Sequence, residues 1–221
     1  MELHAQPMRE IFIATSNEGK LRDFAAIAAP YEVSVAAVPG IASLPPVRED
    51  APTFAANACV KAEQYSRAVK KGYVLADDSG LEVFALGGAP GVHSARYAST
   101  NGGEVNSPDA ANNALLLEQL RDIPNDRRGA RFVCVIAVAR EGRLCACFRG
   151  EVSGVILRQA RGSGGFGYDP LFYLPPAKRT FAELSPEQKA EVSHRGQAFR
   201  KFLTWYTHLE EQVSSIPEGV R

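Results

Sequence analysis

The chain has 221 residues, with 25 Lys and Arg against 25 Asp and Glu, so its formal net charge is zero. Its composition, 45% hydrophobic and 23% charged, is typical of a folded globular domain and excludes disordered, collagen-like and coiled-coil classes. We expect a single domain over residues 1–221, with an ordered core over about 10–211. No apolar run approaches the ~20 residues that span a bilayer, and the N-terminus lacks a signal-peptide core. Zero net charge also argues against a polyanion-binding surface, so we expect neither membrane nor nucleic-acid partners.

Strands and helices alternate in the first third of the chain. An apolar run at residues 10–15 predicts a buried strand, and the apolar spacing from Lys20 onward predicts a helix. A second strand is expected over residues 31–36, followed by a loop punctuated by Pro and Gly. Residues 53–70 predict a longer helix with Thr53 as its N-cap, because no Gly or Pro interrupts the run.

The middle of the chain carries an acidic segment. Residues 73–76 and 81–86 predict two short strands, and residues 77–80, Asp-Asp-Ser-Gly, predict a turn between them. Ser107 is a predicted N-cap that precedes a proline, and the helix it opens is expected to end near Leu120.

The second half of the chain predicts a hairpin and a C-terminal helix. Residues 131–139 and 143–149 form the hairpin, whose antiparallel pairing makes the expected sheet a mixed one in an α/β fold. Ser185 opens a capping box, and the last helix is expected over residues 196–211. We expect a flexible tail after Gln212.

The four cysteines do not resemble a disulfide or metal framework. Cys59 and Cys134 lie in apolar runs, while Cys145 and Cys147 alternate along a predicted strand. A Cys-x-Cys spacing is not that of zinc or thioredoxin sites, so we expect buried free thiols. Free thiols favour a reducing compartment, and we therefore expect the protein to be cytoplasmic.

The segment between the first strand and the first helix is suited to bind phosphate. A helix start offers backbone N–H groups, and small hydroxyl and amide side chains with one lysine surround it. The residues concerned are Thr15, Ser16, Asn17, Glu18, Gly19 and Lys20. The Walker A spacing is absent, and the same residues also suit an ordinary turn.

Two adjacent carboxylates, Asp77 and Asp78, follow an apolar strand. Ligand and metal sites of open α/β sheets gather at the carboxyl ends of strands. Adjacent carboxylates repel each other unless a cation or metal offsets their charge. Because side chains alternate along a strand, we expect one carboxylate to face a cleft and the other to brace the turn. The alternative is an acidic turn exposed to water.

A stripe of polar residues lies on the helix predicted over residues 53–70. Thr53, Asn57 and Lys61 are four residues apart and share one face, and Glu49 precedes them. A carboxylate, an amide and an ammonium aligned in this way would suit a metal–phosphate group. Taken alone, the stripe fits a solvated helix face with an ordinary N-cap at least as well.

Residues 162–170 combine four glycines with two aromatic side chains. Glycine lets the backbone approach a ligand closely, and an aromatic ring offers a flat face on which a base can stack. Lys189, His194 and Arg195 add cationic or titratable groups near the capping-box turn. This part of the chain therefore predicts a nucleotide pocket.

Together these segments resemble the inosine triphosphate pyrophosphatase family from about residue 11 to residue 202. The motifs that carry the resemblance are Thr-Ser-Asn-Glu-Gly-Lys at 15–20, Glu49 with Thr-Phe-x-x-Asn-Ala-x-x-Lys at 53–61, Ala-Asp-Asp-Ser-Gly-Leu at 76–81, Leu-Gly-Gly-Ala-Pro-Gly-Val-His-Ser-Ala-Arg-Tyr at 86–97, Gly-Gly-Phe-Gly-Tyr-Asp-Pro at 164–170 and Ser-His-Arg-Gly at 193–196. The resemblance implies a mixed twisted sheet in two lobes around a central cleft, and a homodimer. It also implies Mg²⁺-dependent hydrolysis of non-standard purine nucleoside triphosphates between the α and β phosphates.

The resemblance further implies roles for matching residues. Asp78 is the implied proton acceptor and, with Glu49, the implied ligand of Mg²⁺. The expected substrate-binding residues are Thr15, Ser16, Asn17, Glu18, Gly19, Lys20, Lys61, Ser79, Phe166, Gly167, Tyr168, Asp169, Lys189, His194 and Arg195. Three positions depart from the pattern: Ser16 and Ser99 stand where glycine is common, and Phe84 stands where aspartate is common.

Arg195 is our candidate for base selectivity. Its donors would pair with the 6-oxo group of hypoxanthine or xanthine, whereas adenine's amino group would leave them unpaired. Guanine also carries a 6-oxo group, so this contact does not exclude it. Two alternatives stay open: a catalytically inactive nucleotide sensor, and a Maf-type nucleotide pyrophosphatase directed at pyrimidine or modified nucleotides.

Overall fold

The computed structural model describes residues 9–31, 33–69, 72–99 and 106–214. In this part of the chain the strands are β1 Arg9–Ile13, β2 Val33–Ala37, β3 Val74–Val83, β4 Gly129–Arg140, β5 Arg143–Ile156, β6 Phe172–Leu174 and β7 Arg179–Thr180. The α-helices are α1 Glu18–Ala28, α2 Phe54–Ser66, α3 Asp109–Gln119, α4 Pro186–Val192 and α5 His194–Ser214. Short 3₁₀ turns connect several of them.

The seven strands form one sheet in the order β2-β1-β3-β4-β5-β6-β7. β1 is parallel to β2 and β3, and each of the other neighbouring pairs is antiparallel. The predicted mixed sheet in an α/β fold is therefore confirmed. The predicted hairpin is also present, but its strands β4 and β5 are longer than the sequence indicated and carry a register shift between Val138 and Ala139.

Apolar side chains cover both faces of the sheet. On one face, Leu75 of β3 packs in a cluster with Phe24 of α1 and Phe199 of α5. On the other face, Val74 and Ala76 pack in a cluster with α2. A third cluster joins the distal end of β3 to α3 and β6. Burying each such large side chain contributes about 1.5–3 kcal/mol, so the three clusters hold the helices firmly against the sheet.

The acidic segment does not form the predicted turn. Residues 77–80 lie inside the ten-residue strand β3, where Asp77 pairs with Ile136 and Asp78 with Val135 of β4. The separate strands predicted over 73–76 and 81–86 are thus one element, and residues 84–86 form a 3₁₀ turn. Cross-strand pairing with the apolar β4 overrides the turn preference of Asp, Ser and Gly.

Several predicted boundaries shift by a few residues. Helix α1 begins at Glu18 rather than Lys20, because the Asn17 side chain caps it by accepting from the Lys20 N–H group. Helix α2 keeps Thr53 as its cap but ends earlier than predicted, at Ser66. Helix α5 begins at His194, two residues earlier than predicted.

Helix α3 does not begin where the sequence predicted. Ser107 is not its N-cap, since Pro108 occupies that position and Asp109 is the first helical residue. The hydroxyl of Ser107 is buried without a hydrogen-bond partner among the described residues. The predicted cap at Ser185 is confirmed, as are its capping-box bonds with Gln188.

The C-terminal prediction is corrected in part. Helix α5 continues through 212 to Ser214, and the rest of the predicted tail, residues 215–221, lies outside the described residues. In the part of the chain that is described, we find no helix with the length and apolarity needed to traverse a bilayer.

The cysteines are free, as predicted, but only Cys134 is fully buried. Burial raises the pKa of the Cys134 thiol to about 12. Cys59 is half-buried, while Cys145 and Cys147 on β5 are exposed. The Sγ atoms of Cys59 and Cys147 are 3.5 Å apart. Alternation along the strand was read correctly, but the sequence did not show which face is covered.

Candidate active site

The cleft opens along an edge of β3 that has no strand partner. β1 pairs with β3 only as far as Leu75, whereas β4 pairs with β3 along its full length. Backbone groups on the open side are satisfied by side chains instead: Lys61 Nζ donates to the Asp77 carbonyl at 2.9 Å, and the Leu81 N–H donates to Ser94 Oγ at 2.9 Å. The resulting cleft has a volume of about 590 Å³, which suits a small-molecule ligand.

The loop before α1 forms one wall of the cleft. Asn17 Oδ1 accepts from the Lys20 N–H at 3.0 Å, and Thr15 Oγ1 accepts from the Asn17 N–H at 3.1 Å. These bonds fix the N-terminus of α1 beside the cleft, where its dipole and free N–H groups favour an anion. Gly19 lies against the ring of Phe166, and a Cβ at Gly19 would stand 2.7 Å from Phe166 Cδ1. The segment of residues 15–20 (the phosphate loop of our prediction) and the segment of residues 166–169 are therefore in direct contact.

Asp78 faces α2. Its Oδ2 atom accepts from Asn57 Nδ2 at 3.0 Å, and its Oδ1 atom lies 3.7 Å from Lys61 Nζ. The same ammonium donates to Glu49 Oε2 at 2.8 Å. Burial raises the pKa of Asp78, although the charges of Lys61 and Lys20 oppose that rise. A carboxylate with a raised pKa is a better proton acceptor near neutral pH than an ordinary aspartate.

The predicted stripe on α2 is partly confirmed by these contacts. Asn57 and Lys61 face Asp78, whereas Thr53 serves only as the helix cap by accepting from the Ala56 N–H. Burial alone would lower the pKa of Lys61, but the nearby charges of Asp78 and Glu49 raise it. Lys61 therefore stays protonated and available to a phosphate.

Asp77 faces the opposite side of the sheet, as alternation along a strand requires. Its Oδ2 atom is 3.0 Å from Lys20 Nζ and 3.3 Å from Arg195 Nη2, and it accepts from Ser79 Oγ at 3.0 Å. Burial alone would raise the pKa of Asp77, but the charges of Lys20, Arg195 and Lys61 lower it well below its usual range. Asp77 is thus a charged anchor for two cations. Only Asp78 of the two carboxylates lines the cleft, as expected, but Asp77 braces Lys20 and Arg195 rather than a turn.

A second ionic contact connects α1 to Arg195. Asp23 Oδ2 accepts from Arg195 Nη1 at 2.6 Å and lies 3.3 Å from Lys189 Nζ. Arg195 is 2% exposed, and its Nε atom has no hydrogen-bond partner among the described residues. Burial alone would lower its pKa, but the charges of Asp77 and Asp23 raise it. The guanidinium therefore stays charged, and its Nε–H is a donor without a partner among the described residues.

Residues 166–169 form the aromatic wall of the cleft. Lys189 Nζ is 4.7 Å from the centre of the Phe166 ring, and Arg195 Cζ is 5.7 Å from it. Asp169 Oδ2 accepts from Lys189 Nζ at 2.7 Å and from the Phe166 N–H at 3.0 Å. The hydroxyl of Tyr168 donates to the Ser94 carbonyl at 2.9 Å, which turns that side chain into the core. Phe166, whose ring carries no polar group, borders the pocket beside these ion pairs.

His194 lies beside this wall. Its ring stacks on Phe132 with centroids 4.8 Å apart, and its Nδ1 atom is buried without a partner among the described residues. Burial, with the charges of Arg195 and Lys189, lowers the pKa of His194 well below its usual range. His194 is therefore neutral near pH 7 and offers a hydrogen-bonding nitrogen rather than a charge.

The charge balance of the cleft favours a bound divalent cation. Five carboxylates are ion-paired with four cations around it: Asp23, Glu49, Asp77, Asp78 and Asp169 with Lys20, Lys61, Lys189 and Arg195. Such a site has no excess positive charge to attract a triphosphate. No cluster of three acidic, His or Cys ligands occurs among the described residues, but Mg²⁺ needs only one or two carboxylates with waters and phosphates. Glu49 and Asp78 fit that requirement.

The structure brings together nearly all of the predicted site residues. Those that line the cleft are Thr15, Ser16, Asn17, Lys20, Glu49, Lys61, Asp78, Ser79, Phe166, Gly167, Tyr168, Asp169, Lys189, His194 and Arg195. Glu18 does not line the cleft: its side chain points to solvent, 3.5 Å from Arg22, and its role in substrate binding stays a prediction. Gly19 does not line the cleft either and instead packs behind Phe166.

Two acidic residues of the site were missed in the sequence. Asp23 follows Lys20 by three residues on α1, and that spacing was the available signal that both side chains share a face. Asp109 accepts from the Gly167 N–H at 2.6 Å, and only the tertiary fold brings these distant segments together.

Comparisons with known proteins agree with this arrangement. Residues 11–205 match the model of the Ham1 family. A dITP/XTP pyrophosphatase of Geobacillus kaustophilus is 49% identical over 96% of this chain and 98% of its own length, and one from Acidobacterium capsulatum is 50% identical over 87% and 96%. The solved Ham1 proteins of Staphylococcus aureus and Coxiella burnetii superpose with TM-scores of 0.75 and 0.76 at 42% and 38% identity. They cover 90% and 91% of this chain and 99% and 100% of their own. Since the match spans both walls of the cleft, the chain belongs to the Ham1 family.

Proposed function

We propose that this protein hydrolyses the non-standard purine nucleoside triphosphates ITP, dITP and XTP to the monophosphate and pyrophosphate. The observation that carries the proposal is a single cleft in which a helix N-terminus and a carboxylate–lysine group face an aromatic wall. The helix N-terminus and the carboxylate–lysine group suit a triphosphate, and the aromatic wall suits a base. The names of the related pyrophosphatases support the same substrate class.

Asp78 is the residue that receives the proton in this reaction. A water molecule attacks the α-phosphorus, its proton passes to the Asp78 carboxylate, and the α–β bridging bond breaks with its electron pair leaving on pyrophosphate. The Asn57 bond holds the carboxylate in place to accept the proton. Lys20 and Lys61 stabilise the negative charge of the phosphates during transfer.

Glu49 and Asp78 are the residues that would hold Mg²⁺, the cofactor we propose. When bound, Mg²⁺ neutralises the phosphate oxygens and polarises the phosphorus centre. The Lys61 ammonium bridges the same two carboxylates at 2.8 and 3.7 Å, which limits their mutual repulsion. Removing the metal with EDTA should abolish turnover, and Mg²⁺ should restore it.

Arg195 is the residue to which we assign preference for a 6-oxo purine. Its Nη atoms donate to Asp23, Asp77 and Ser79, which uses three of the five N–H groups, so the unpaired Nε–H and the second hydrogen of Nη1 are the remaining donors. A buried unpaired donor is costly, and a 6-oxo acceptor would satisfy it where an amino group would not.

A pyrophosphate-release assay tests the function. We expect release from ITP, dITP and XTP with Mg²⁺ and far less from ATP. Tight ITP binding without release would identify a nucleotide sensor. Preference for dTTP or UTP over ITP would favour the Maf-type alternative.

We further propose that the protein is a homodimer and acts in the cytoplasm. Four large apolar side chains of the described residues are exposed, namely Tyr31, Val60, Phe84 and Leu144. Because these side chains lie on separate elements, and scattered exposed apolar residues are normal, the homodimer is proposed from the family resemblance alone. Light scattering coupled to gel filtration should give twice the 23.9 kDa chain mass, whereas a monomer would contradict the proposal.

A further inference from the structure

The aromatic wall depends on an unusual backbone position at Gly167. This residue has a φ of +61°, in the left-handed region, and its Cβ position is open space. It lies directly between Phe166, which borders the pocket, and Tyr168, whose hydroxyl is bonded to the Ser94 carbonyl. Any rotation of the Gly167 peptide therefore moves the Phe166 ring relative to the cleft.

Helix α3 binds this residue's backbone through two side chains. The Gly167 N–H donates to Asp109 Oδ2 at 2.6 Å, and Asn113 Nδ2 donates to the Gly167 carbonyl at 3.0 Å. The two side chains are four residues apart and so lie on one face of the helix. The Asp109 carboxylate accepts from the N–H group of Gly167 and the Asn113 amide donates to its carbonyl, so both backbone polar groups of Gly167 have a side-chain partner.

The helix that carries these side chains is itself firmly anchored. Leu116 and Leu120 are fully buried in the cluster that contains the end of β3. Asn112, only 2% exposed, accepts from the Ala98 N–H at 2.8 Å. A fixed helix can transmit its position to the loop, as effective second-layer support requires.

We propose that Asp109 and Asn113 are positioning residues that hold Phe166 in place to receive the base of the substrate. This inference rests on the proposed function, because it assumes that a purine stacks on Phe166. The pair touches neither the phosphate loop nor the Asp78 group in the structure. Its influence is therefore on recognition of the base rather than on the chemistry of phosphoryl transfer.

Binding of two product fragments tests the proposal. IMP contains the base, the sugar and one phosphate, whereas pyrophosphate contains phosphate groups and no base. We expect Asp109→Ala and Asn113→Ala each to raise the Kd of IMP by about fivefold to tenfold and to leave the Kd of pyrophosphate within about twofold, as measured by calorimetry with Mg²⁺. Asp109→Asn keeps an oxygen acceptor and should restore most of the IMP affinity. Glu118→Ala, at the exposed far end of the same helix, is the matched control and should bind as wild type.

A double-mutant cycle separates positioning from general stability. If Asp109 acts through Phe166, Asp109→Ala should add almost nothing to the loss of IMP affinity already caused by Phe166→Ala. Additive losses, or equal losses for IMP and pyrophosphate, would overturn the proposal. An unchanged IMP affinity in both single variants would also overturn it. Failure of the wild-type protein to bind IMP at all would instead contradict the proposed function, so the two failures are distinguishable.

Discussion

Replacing Asp77 or Asp78 by asparagine removes one negative charge from adjacent positions of β3 with almost no change in side-chain shape. The two charges face opposite sides of the sheet and have different partners. We predict opposite outcomes: Asp77→Asn should destabilise the fold, and Asp78→Asn should abolish turnover while the fold is kept. Each variant is thus the control for the other, because both make the same change of charge and shape at neighbouring positions.

The loss of stability expected for Asp77→Asn follows from the burial of the Asp77 side chain. The residue is 1% exposed and has Lys20 Nζ at 3.0 Å and Arg195 Nη2 at 3.3 Å. Because its folded pKa is lowered, its charge stabilises the protein at all pH values above the unfolded pKa of about 3.9. Removing one partner of a buried ion pair costs about 3–5 kcal/mol, and we expect the lower end because Arg195 keeps Asp23. At about 2–4 °C per kcal/mol for a chain of this size, the Tm should fall by roughly 6–12 °C.

For Asp78, the effect of the carboxylate charge on the stability of the fold has the opposite sign. Its folded pKa is raised, so its ionised form costs stability at neutral pH, and a neutral isostere relieves that cost. Asparagine can still accept from Asn57 Nδ2, so the Tm should stay within about 2 °C of wild type or rise. The loss of the proton acceptor should lower kcat by about 10³-fold or more.

Differential scanning calorimetry and pyrophosphate release from ITP measure both outcomes. Wild-type kcat in Asp78→Asn would remove this residue from the mechanism. Equal falls in Tm for the two variants would contradict the assignment of Asp77 as the structural charge.

Three further predictions address other parts of the cleft. Gly19→Ala should displace Phe166, since its Cβ would stand 2.7 Å from the ring, and should raise KM for ITP several-fold; an unchanged KM would show that the ring moves at no cost. Arg195→Lys keeps the positive charge but loses the unpaired Nε, so the kcat/KM preference for ITP over ATP should narrow about tenfold, and an unchanged ratio would remove Arg195 from base reading. The lowered pKa of His194 means that the unfolded chain gains a proton below about pH 6.5 while the folded chain does not. Between about pH 7.5 and pH 5.5, the free energy of unfolding in urea should therefore fall by about 1.4 kcal/mol more for wild type than for His194→Gln. Equal falls for the two proteins would contradict a neutral His194.

Much of the fold could be predicted because local patterns agreed with tertiary packing. The Thr53 and Ser185 caps identified helix starts, and apolar runs identified β1 and β4. The acidic segment was misread as a turn because its residue types favour turns in isolation. Only the pairing of Asp77 and Asp78 with β4 makes it a strand, and that pairing joins segments more than fifty residues apart.

The residues of the candidate site were predicted largely from motifs, but the contacts between residues of different motifs could not be predicted from the sequence. Lys20 and Lys61 were both expected to bind phosphate, but nothing local showed that one would pair with Asp77 and the other with Glu49. The support of Gly167 by α3 was likewise invisible, because it depends on how the third apolar cluster orients that helix. Solvent exposure of the β5 cysteines was missed as well, because alternation along a strand does not show how far the neighbouring helix covers it.

The central claim is that one cleft directs water to the α-phosphorus of a 6-oxo purine nucleoside triphosphate, with Asp78 taking the proton. The most direct measurement is hydrolysis of ITP in water enriched in heavy oxygen, followed by mass spectrometry of both products. We predict that the label appears in IMP and that pyrophosphate is unlabelled. Label in pyrophosphate, or release of IDP and inorganic phosphate, would contradict it.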